Sequence, residues 1–254
     1  MYESFKIFNL KLLFIVLILL ACSSSDSPLV SGNPTDPDNN GDDSIYKILP
    51  LGDSRVEGAT INSVSYRYDL WRNLVNGQWE FDYIGTQVDN TSYPELLGQT
   101  FDPDHQGIGG FRTQDVLDNI EVVLQESGIP DVVLLGIGGN DLVHNISVAS
   151  AIYNINQTID LLQNRNSDIT IFIERIAPGR SNVMTPETVV ILAEFNSSIS
   201  SLAADQTTDN SKVIAVDMSV DWSDAYMADN LHYNELGAKE VADRYFEAIE
   251  NNLQ

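Results

Sequence analysis

Five short, mostly apolar segments, separated by longer stretches of helical periodicity, constrain the fold of this 254-residue chain more than any other feature. Strands that are covered by helices on both faces have this composition. A regular alternation of such strands with helices indicates one parallel sheet with helices on both sides. The candidate strands are Ile45–Leu51, Phe81–Gly85, Val132–Ile137, Ile169–Glu174 and Val213–Asp217.

The intervening helices are visible as apolar residues that recur at helical spacing. One pattern follows Thr113, a possible helix cap, and a second fills the C-terminal segment, with further helices expected near 63–75, 149–164 and 186–204. We therefore predict an α/β fold of three layers, doubly wound and flavodoxin-like, around a five-stranded parallel sheet. The apolar positions of the two named patterns are Val116, Leu117, Ile120, Val123 and Leu124, and Ala238, Val241, Ala242, Tyr245, Ala248 and Ile249.

The N-terminal segment has the composition of a secretory leader. Lys6 and Lys11 are followed by the apolar stretch Leu12–Ala21, which is too short to span a bilayer. The ending Leu19-Leu20-Ala21-Cys22 resembles a bacterial lipobox, in which the cysteine is acylated. We expect residues 1–21 to be a lipoprotein signal peptide and Cys22 to be the lipidation site. The alternative is an ordinary signal peptide followed by a chance cysteine.

Residues 22–44 are rich in Ser, Asp, Asn, Pro and Gly and contain almost no apolar side chains. Such a segment buries too little surface to offset its ordering entropy, so we expect a flexible tether before one folded domain at 45–254. Ser23, rather than Asp, follows Cys22. By resemblance to lipoprotein sorting in bacteria with two membranes, this implies an extracytoplasmic protein anchored in the outer membrane. The resemblance does not indicate which leaflet holds the anchor.

Charge and cysteine content exclude several classes of function. The chain has 13 basic and 37 acidic residues and a net charge of −24, which repels phosphate backbones and argues against nucleic acid as a partner. Cys22 is the only cysteine, so the domain has no internal disulfide, cysteine nucleophile or thiolate metal cluster. We expect no cofactor, no metal and a monomer.

Polar residues follow the candidate strands at positions that the sheet would bring together. Ser54 follows the first strand, Gly110 lies in the long loop after the second, Asn140 follows the third, and Asp229 and His232 follow the fifth. Sheets of this kind bind ligands beyond the carboxyl ends of their strands, so all of these residues should lie at one edge.

Ser54, Asp229 and His232 have the chemistry of a catalytic triad. A serine hydroxyl needs a base to become a nucleophile, and a carboxylate three residues before a histidine can orient the imidazole ring. Ser54 as a helix N-cap and His232 as a residue that caps the last helix are the structural alternatives.

Fixed N–H donors are needed to stabilise the oxyanion that forms when an ester carbonyl is attacked. The Asn140 side chain, the backbone of Ser54 and the backbone of one glycine can supply them, and Gly107, Gly109 and Gly110 compete for the last role. An αL turn or helix cap is the alternative for Asn140.

Two further histidines stand near these motifs. His105 precedes the glycine loop, where it could bind substrate, act as a second base or bond locally, and His144 follows Asn140 by four positions. Without a clear third ligand they are thin evidence for a metal site.

The four ordered blocks Gly52-Asp53-Ser54, His105 to Gly110, Gly138-Gly139-Asn140-Asp141 and Asp229 to His232 resemble the SGNH, or GDSL, hydrolase superfamily. The blocks Ile48 to Ser54, Ser65-Tyr66-Arg67, Phe81 to Gly85 and Asp104 to Gly107 with Gly110-Phe111-Arg112 look like the third family of carbohydrate esterases, which remove acetyl groups from xylan. The likeness covers nearly all of Ile45–Leu253.

The resemblance implies that Ser54, Asp229 and His232 are catalytic and that Ser54, Gly110 and Asn140 form the oxyanion hole. Arg55, Arg67, His105 and Arg112 are weaker candidates for substrate contact. Arg55 stands where the family usually has an aliphatic residue, and Gln106 replaces its usual Glu, which puts the acetyl assignment in doubt. We expect a serine esterase that deacetylates a polysaccharide or oligosaccharide; the alternatives are a lysophospholipase or thioesterase, and an inactive carbohydrate-binding lipoprotein.

Overall fold

A seven-stranded sheet forms the centre of the protein, which a computed structural model describes at residues 45–58, 64–89 and 91–253. Strand β1 is central: β5 pairs with one of its edges, and β2 and then β4 pair along the other. All pairings are parallel except the short antiparallel pair of β3 with β4. The strands are β1 (Tyr46–Gly52), β2 (Phe81–Tyr83), β3 (Gln87–Val88), β4 (Asp104–Gly107), β5 (Val132–Gly136), β6 (Thr170–Arg175) and β7 (Lys212–Asp217).

Helices cover both faces of the sheet. Val133 and Leu135 of β5 pack with α3, α5 and α6 on one face, whereas Val132 and Leu134 pack with α2 and α7 on the other. This alternation explains why the strand is apolar at every position. The helices are α1 (Ser54–Glu57), α2 (Arg67–Asn76), α3 (Thr113–Ser127), α4 (Gly139–Val143), α5 (Val148–Arg165), α6 (Pro186–Gln206) and α7 (Glu235–Asn252), with a 3-10 turn at Asp224–Tyr226.

The predicted fold class is confirmed, and the five expected strands are present with ends shifted by one or two residues. The strand count is too low because β3 has only two residues, both exposed, and β4 is the polar run Asp-His-Gln-Gly. Neither has an apolar pattern that could signal a strand. Gly110 therefore follows β4 rather than the second strand.

Helix α3 begins at Thr113 but is not capped by it. Arg112 occupies the N-cap position, and the buried carboxylate of Asp141 accepts hydrogen bonds from the backbone N–H and hydroxyl of Thr113. The sequence could not reveal a cap that comes from another loop.

The expected signal peptide, the lipidation site at Cys22 and the tether lie outside the described residues. Among the helices that the structure describes, none is both long and apolar enough to cross a membrane.

Candidate active site

Ser54 lies at a sharp turn between β1 and α1. The turn rests on three glycines that are level across the sheet, since Gly52 pairs with both Gly107 and Gly136. A Cβ atom on Gly52 would lie 2.0 Å from the carbonyl oxygen of Gly136, and one on Gly107 would lie 2.3 Å from a backbone nitrogen of α1. The absence of side chains here lets α1 sit directly on the carboxyl edge of the sheet. Ser54 is half-buried there.

The structure brings Ser54, His232 and Asp229 into one hydrogen-bonded chain. The Ser54 Oγ to His232 Nε2 distance is 3.0 Å, and the His232 Nδ1 to Asp229 Oδ2 distance is 2.8 Å. An ionised carboxylate can only accept, so Nδ1 donates to Asp229 and, in the neutral ring, Nε2 accepts the serine hydroxyl proton. This arrangement can move a proton from Ser54 to the imidazole ring.

Asp229 is held in its ionised form. Burial raises its pKa, but hydrogen bonds from the His232 ring and from the backbone N–H groups of His232 and Leu231 outweigh burial and lower the pKa to about 2. The backbone donors lie 2.7 and 2.8 Å from Oδ1. One carboxylate oxygen therefore fixes the turn and the other orients the ring.

Arg55 connects α1, which begins at Ser54, to the turn that carries His232. Its Nε donates to the carbonyl of Leu231 at 2.9 Å, and Nη1 donates to the carbonyl of Ala177 at 2.8 Å and to the Tyr233 hydroxyl at 3.3 Å. Its guanidinium also lies over the Tyr233 ring, 4.9 Å from the centroid. The Nε and Nη1 bonds are made to groups of the protein itself. Nη2 has no acceptor among the described residues and is left to bind a substrate, so substrate contact by Arg55 stays a prediction.

The glycine loop passes over Ser54. A Cβ atom on Gly109 would lie 4.0 Å from that of Ser54. The N–H of Gly107 already donates to His105 Nδ1 at 3.0 Å, which removes Gly107 from the candidate oxyanion donors. The backbone N–H groups of Ser54, Gly109 and Gly110 have no acceptor among the described residues. Gly110 has a φ of 82°, a conformation that favours glycine.

Asn140 lies against the same loop. Its Nδ2 donates to the carbonyl of Phe111 at 2.9 Å, which leaves the second amide hydrogen available to a ligand. Gly138 precedes it with a φ of 111°, and a Cβ atom there would lie 2.3 Å from the Phe195 ring. The position therefore requires glycine. Asp141, for which the sequence indicated no role, links this loop to α3 by accepting hydrogen bonds from Thr113.

Arg67 and His105 do not contact the site surface, which corrects their assignment as candidate substrate contacts. Arg67 is fully buried and donates to the carbonyls of Val56 and Glu57 and to Asp89 Oδ1, at 3.0, 2.9 and 2.8 Å. His105 is 3% exposed, and its Nε2 lies 3.4 Å from the same Asp89 oxygen. The two side chains lie below the site surface. Through Asp89 they link the end of α1 to the 86–107 connection.

Gln106, Arg112 and His144, three further residues that the sequence singled out, lie in different surroundings. Gln106 is buried, and its Oε1 accepts from the backbone and the hydroxyl of Thr86 at 3.0 and 2.8 Å. Arg112 is half-buried, and its side chain pairs with Asp115, three residues along, so its contact with substrate stays a prediction. His144 is exposed on the segment after α4. No group of three His, Cys, Asp or Glu side chains in the described ranges could hold a metal ion.

The sequence matches the profile of the GDSL-like lipase/acylhydrolase family over residues 51–240, well over half of the chain. The chain belongs to this family. It is therefore a carboxylic ester hydrolase, and the family's matched region contains Ser54, the glycine loop, Asn140, Asp229 and His232. Comparison with curated proteins gave no match.

Solved structures similar to this GDSL-like hydrolase include three esterases. A family 3 carbohydrate esterase from Talaromyces cellulolyticus has 23% identity and a TM-score of 0.70, over 82% of this chain and 97% of that one. A serine-to-alanine mutant of an acetyl esterase, with an acetate ion, has 22% identity and a TM-score of 0.70 over the same shares. A Clostridium thermocellum family 3 carbohydrate esterase has 28% identity and a TM-score of 0.67, over 82% and 96%. The first two likenesses establish the fold alone.

An apolar cavity lies next to Arg55, the residue that follows Ser54 in this hydrolase. It has a volume of about 280 Å³ and is bounded by Arg55, Gly139 and Leu231, the neighbours of Ser54, Asn140 and His232. Its far walls are the apolar side chains of α4 and of the start of α6 with its preceding loop, namely Leu142, Val143, Ile176, Pro178, Val183, Met184, Ile191 and Leu192. These residues come from three separate parts of the chain, so the sequence gives no signal that they share one cavity.

Proposed function

We propose that the protein is a serine esterase that removes O-acetyl groups from a polysaccharide or from its oligosaccharides. The observation that carries the proposal is the hydrogen-bonded chain from Ser54 Oγ through His232 to Asp229. This order of nucleophile, base and orienting carboxylate supports acyl transfer through a covalent intermediate.

In the first half-reaction Ser54 Oγ attacks the acetyl carbonyl carbon while its proton passes to His232 Nε2. The carbonyl oxygen becomes an oxyanion that accepts hydrogen bonds from the backbone of Ser54, from Gly109 or Gly110, and from the free amide hydrogen of Asn140. Asp229 stabilises the imidazolium ion. When the intermediate collapses, the bond to the sugar oxygen breaks and that oxygen takes the proton from His232.

In the second half-reaction a water molecule replaces the sugar. Its proton passes to His232 Nε2 as its oxygen attacks the acetyl-serine ester. Collapse of the second intermediate returns the proton to Ser54 Oγ and releases acetate. Neither step needs a metal or an organic cofactor.

The acetyl and carbohydrate parts of the proposal are supported by likeness. Two of the similar solved structures are family 3 carbohydrate esterases and a third is an acetyl esterase with an acetate ion. The sequence blocks around Ser54, Arg67 and Gly110 point to the same esterases.

Measurement of kcat/KM on 4-nitrophenyl acetate, butyrate and octanoate, together with acetate release from acetylated xylan, tests this proposal. A short-chain enzyme should lose roughly 1–3 kcal/mol of transition-state binding per added methylene that the pocket cannot place. We expect a steep fall from acetyl to octanoyl and release of acetate from the glycan.

A lysophospholipase or thioesterase is the second candidate, and the apolar cavity of about 280 Å³ next to Arg55 favours it. An acyl chain in that cavity would bury apolar surface, at about 0.8 kcal/mol per methylene. A kcat/KM that rises from acetyl to octanoyl would replace the carbohydrate proposal with this one.

An inactive carbohydrate-binding lipoprotein is the third candidate. Failure of Ser54 to react with a phosphonate ester would favour it.

We also propose that Cys22 is lipidated and that the enzyme acts outside the cytoplasm on the outer membrane. The lipobox-like ending before Cys22 and the polar composition of residues 22–44 support this.

A further inference from the structure

A second and larger cavity, a groove of about 620 Å³, lies on the far side of the apolar cavity. Its walls are one face of α6, the connection between β6 and α6, and the segment that follows β7. Its volume is within the range of small-molecule binding sites, about 300–1,000 Å³. The catalytic steps described above do not use it.

Two residues that line the groove each contain a buried polar atom with no hydrogen-bond partner in the described part of the chain. Asn196 is 4% exposed, and its Nδ2 donates to the carbonyl of Ile176 while its Oδ1 is unpaired. The Nε of Arg175 is likewise buried and unpaired, although its Nη1 binds Asp217 at 2.9 Å. A buried polar group without a partner destabilises a protein, so a ligand that supplies one donor and one acceptor here would have a stabilising effect.

The remaining walls are hydroxyl groups and one large aromatic side chain. Serines line the groove from three elements, and a hydroxyl can donate and accept at once. Trp222 closes one side, half-buried against Tyr226 and Tyr233. The only carboxylate among the lining residues, Asp224, accepts from the backbone and hydroxyl of Ser181 at 2.7 and 2.5 Å.

These walls suit a neutral ligand rich in hydroxyl groups. The charge of Arg175 is already paired with Asp217, and a net charge of −24 disfavours anions. Hydroxyls and amides bind the edges of a sugar ring by paired hydrogen bonds, and an apolar aromatic face covers its C–H groups.

The groove adjoins the apolar cavity. Pro178, Gly179, Met184 and Leu192 line both the groove and the apolar cavity, which in turn reaches Arg55 and Leu231. One extended chain could therefore occupy the groove while an ester group lies at Ser54.

We propose that this groove binds sugar units of the substrate glycan at a distance from the acetyl group that is removed. The proposal rests on the function proposed above and adds to it a subsite that selects polymeric over small esters. The key residues are Asn196, Arg175 and Trp222, together with the exposed face of α6 at Ser197 and Ser200.

The substitution Ser197→Trp tests it, because Ser197 is exposed on α6 and an indole ring there would fill the groove. Val190→Trp is the matched control, since Val190 is 65% exposed on the same helix and lines neither cavity. The substrates are 4-nitrophenyl acetate and acetylated xylan oligosaccharides of increasing length. We expect Ser197→Trp to lower kcat/KM on the long oligosaccharides by about tenfold or more, the loss of roughly 1.4 kcal/mol of binding, and to leave 4-nitrophenyl acetate unchanged. Unchanged activity on the long oligosaccharides would overturn the proposal.

A binding measurement separates the subsite from the reaction. Calorimetry with the inactive Ser54→Ala variant and an unacetylated xylan oligosaccharide should detect binding that Ser197→Trp, or Ser200→Trp should Ser197→Trp not fold, removes and Val190→Trp retains. Binding that survives a filled groove would contradict the subsite. If groove-dependent binding is present but the wild-type enzyme releases no acetate from any glycan, the subsite stands and the proposed reaction is wrong.

Discussion

Arg55 shows how one side chain can hold together two parts of a site that lie far apart in the sequence. Ser54 and His232 are 178 positions apart, and the guanidinium beside Ser54 binds the carbonyl of Leu231, next to His232. Misplacement of a catalytic group by about 1 Å can cost a factor of about 10² in rate. We therefore propose that Arg55 acts on the reaction through the position of His232.

The substitution Arg55→Leu should lower kcat on 4-nitrophenyl acetate by about 10²-fold with little change in KM, because the turn that carries His232 loses its anchor. Arg55→Lys should recover part of the loss, since an ammonium group can reach one carbonyl but not all three acceptors. Steady-state kinetics check this, with Arg165→Leu as the control, because Arg165 pairs with Glu121 and has no role in the site. A higher KM with unchanged kcat would instead make Arg55 a substrate contact.

Asn140→Ala should lower kcat by roughly 10²–10³, the usual cost of one oxyanion donor. The side chain is held against Phe111 with one amide hydrogen free, as a preorganised donor requires. Steady-state kinetics with the acetyl ester measure the loss of turnover, and a thermal melt shows whether the variant is still folded. An effect on KM alone would indicate that Asn140 binds the ground state.

For single residues, the sequence predicted which edge of the sheet they occupy better than it predicted whether their side chains are buried. Ser54, Asp229 and His232 come together as expected, because each follows a strand that ends at the same edge. Arg67 and His105 belong to similarly informative motifs, yet both are buried. Their partner Asp89 lies in a segment without a recognisable pattern, so nothing in the local sequence indicates that they face inward.

Among the elements, β6 carries a buried acid beneath the site. Glu174 is 2% exposed and accepts from the Tyr245 hydroxyl at 2.9 Å. Burial raises its pKa from 4.5 to about 7, although the hydrogen bond from Tyr245 and the charge of Arg55 oppose the rise. Residues Ile171–Ile173 of the strand are apolar, so the sequence predicted its place in the sheet but not the state of this carboxyl group.

Glu174 should make stability depend on pH between 4.5 and about 7. Below this window the carboxyl is protonated in both states; within it the unfolded chain ionises first, so the stability that the carboxyl contributes is lost as pH rises. The loss is at most about 3 kcal/mol. Glu174→Gln keeps an acceptor for Tyr245 and should remove this slope. Urea unfolding of both proteins across the window checks it, and parallel stability curves would contradict it.

Strands β3 and β4 were the elements that the sequence could not predict. Their backbones pair because the connection after β2 folds back along β1, and this pairing holds the glycine loop above Ser54. A polar strand of this kind is stabilised by its tertiary position, which includes the His105 and Gln106 bonds, and not by an apolar pattern.

At the scale of the whole molecule, the sequence predicts an enzyme attached to a membrane through Cys22. A single lipid chain gives only marginal binding, at about 0.8 kcal/mol per buried methylene, so stable anchoring requires the several chains of a mature lipoprotein. Cys22→Ser should move the protein into the soluble fraction and leave kcat/KM on 4-nitrophenyl acetate unchanged. Cell fractionation followed by an activity assay checks this. Recovery of the variant with membranes would show that another segment anchors the protein.

The most direct test of Ser54 as the nucleophile of an acetyl esterase is a comparison of acetate release by the wild-type enzyme and by Ser54→Ala. Both proteins are assayed with acetylated xylan oligosaccharides and with 4-nitrophenyl acetate. Loss of the nucleophile of a triad removes on the order of 10⁶ in turnover. We expect the wild type to release acetate from both substrates, and Ser54→Ala to have no detectable activity and an almost unchanged melting temperature. A variant that retains activity within tenfold of the wild type would contradict the assignment of Ser54 as the nucleophile and the mechanism built on it.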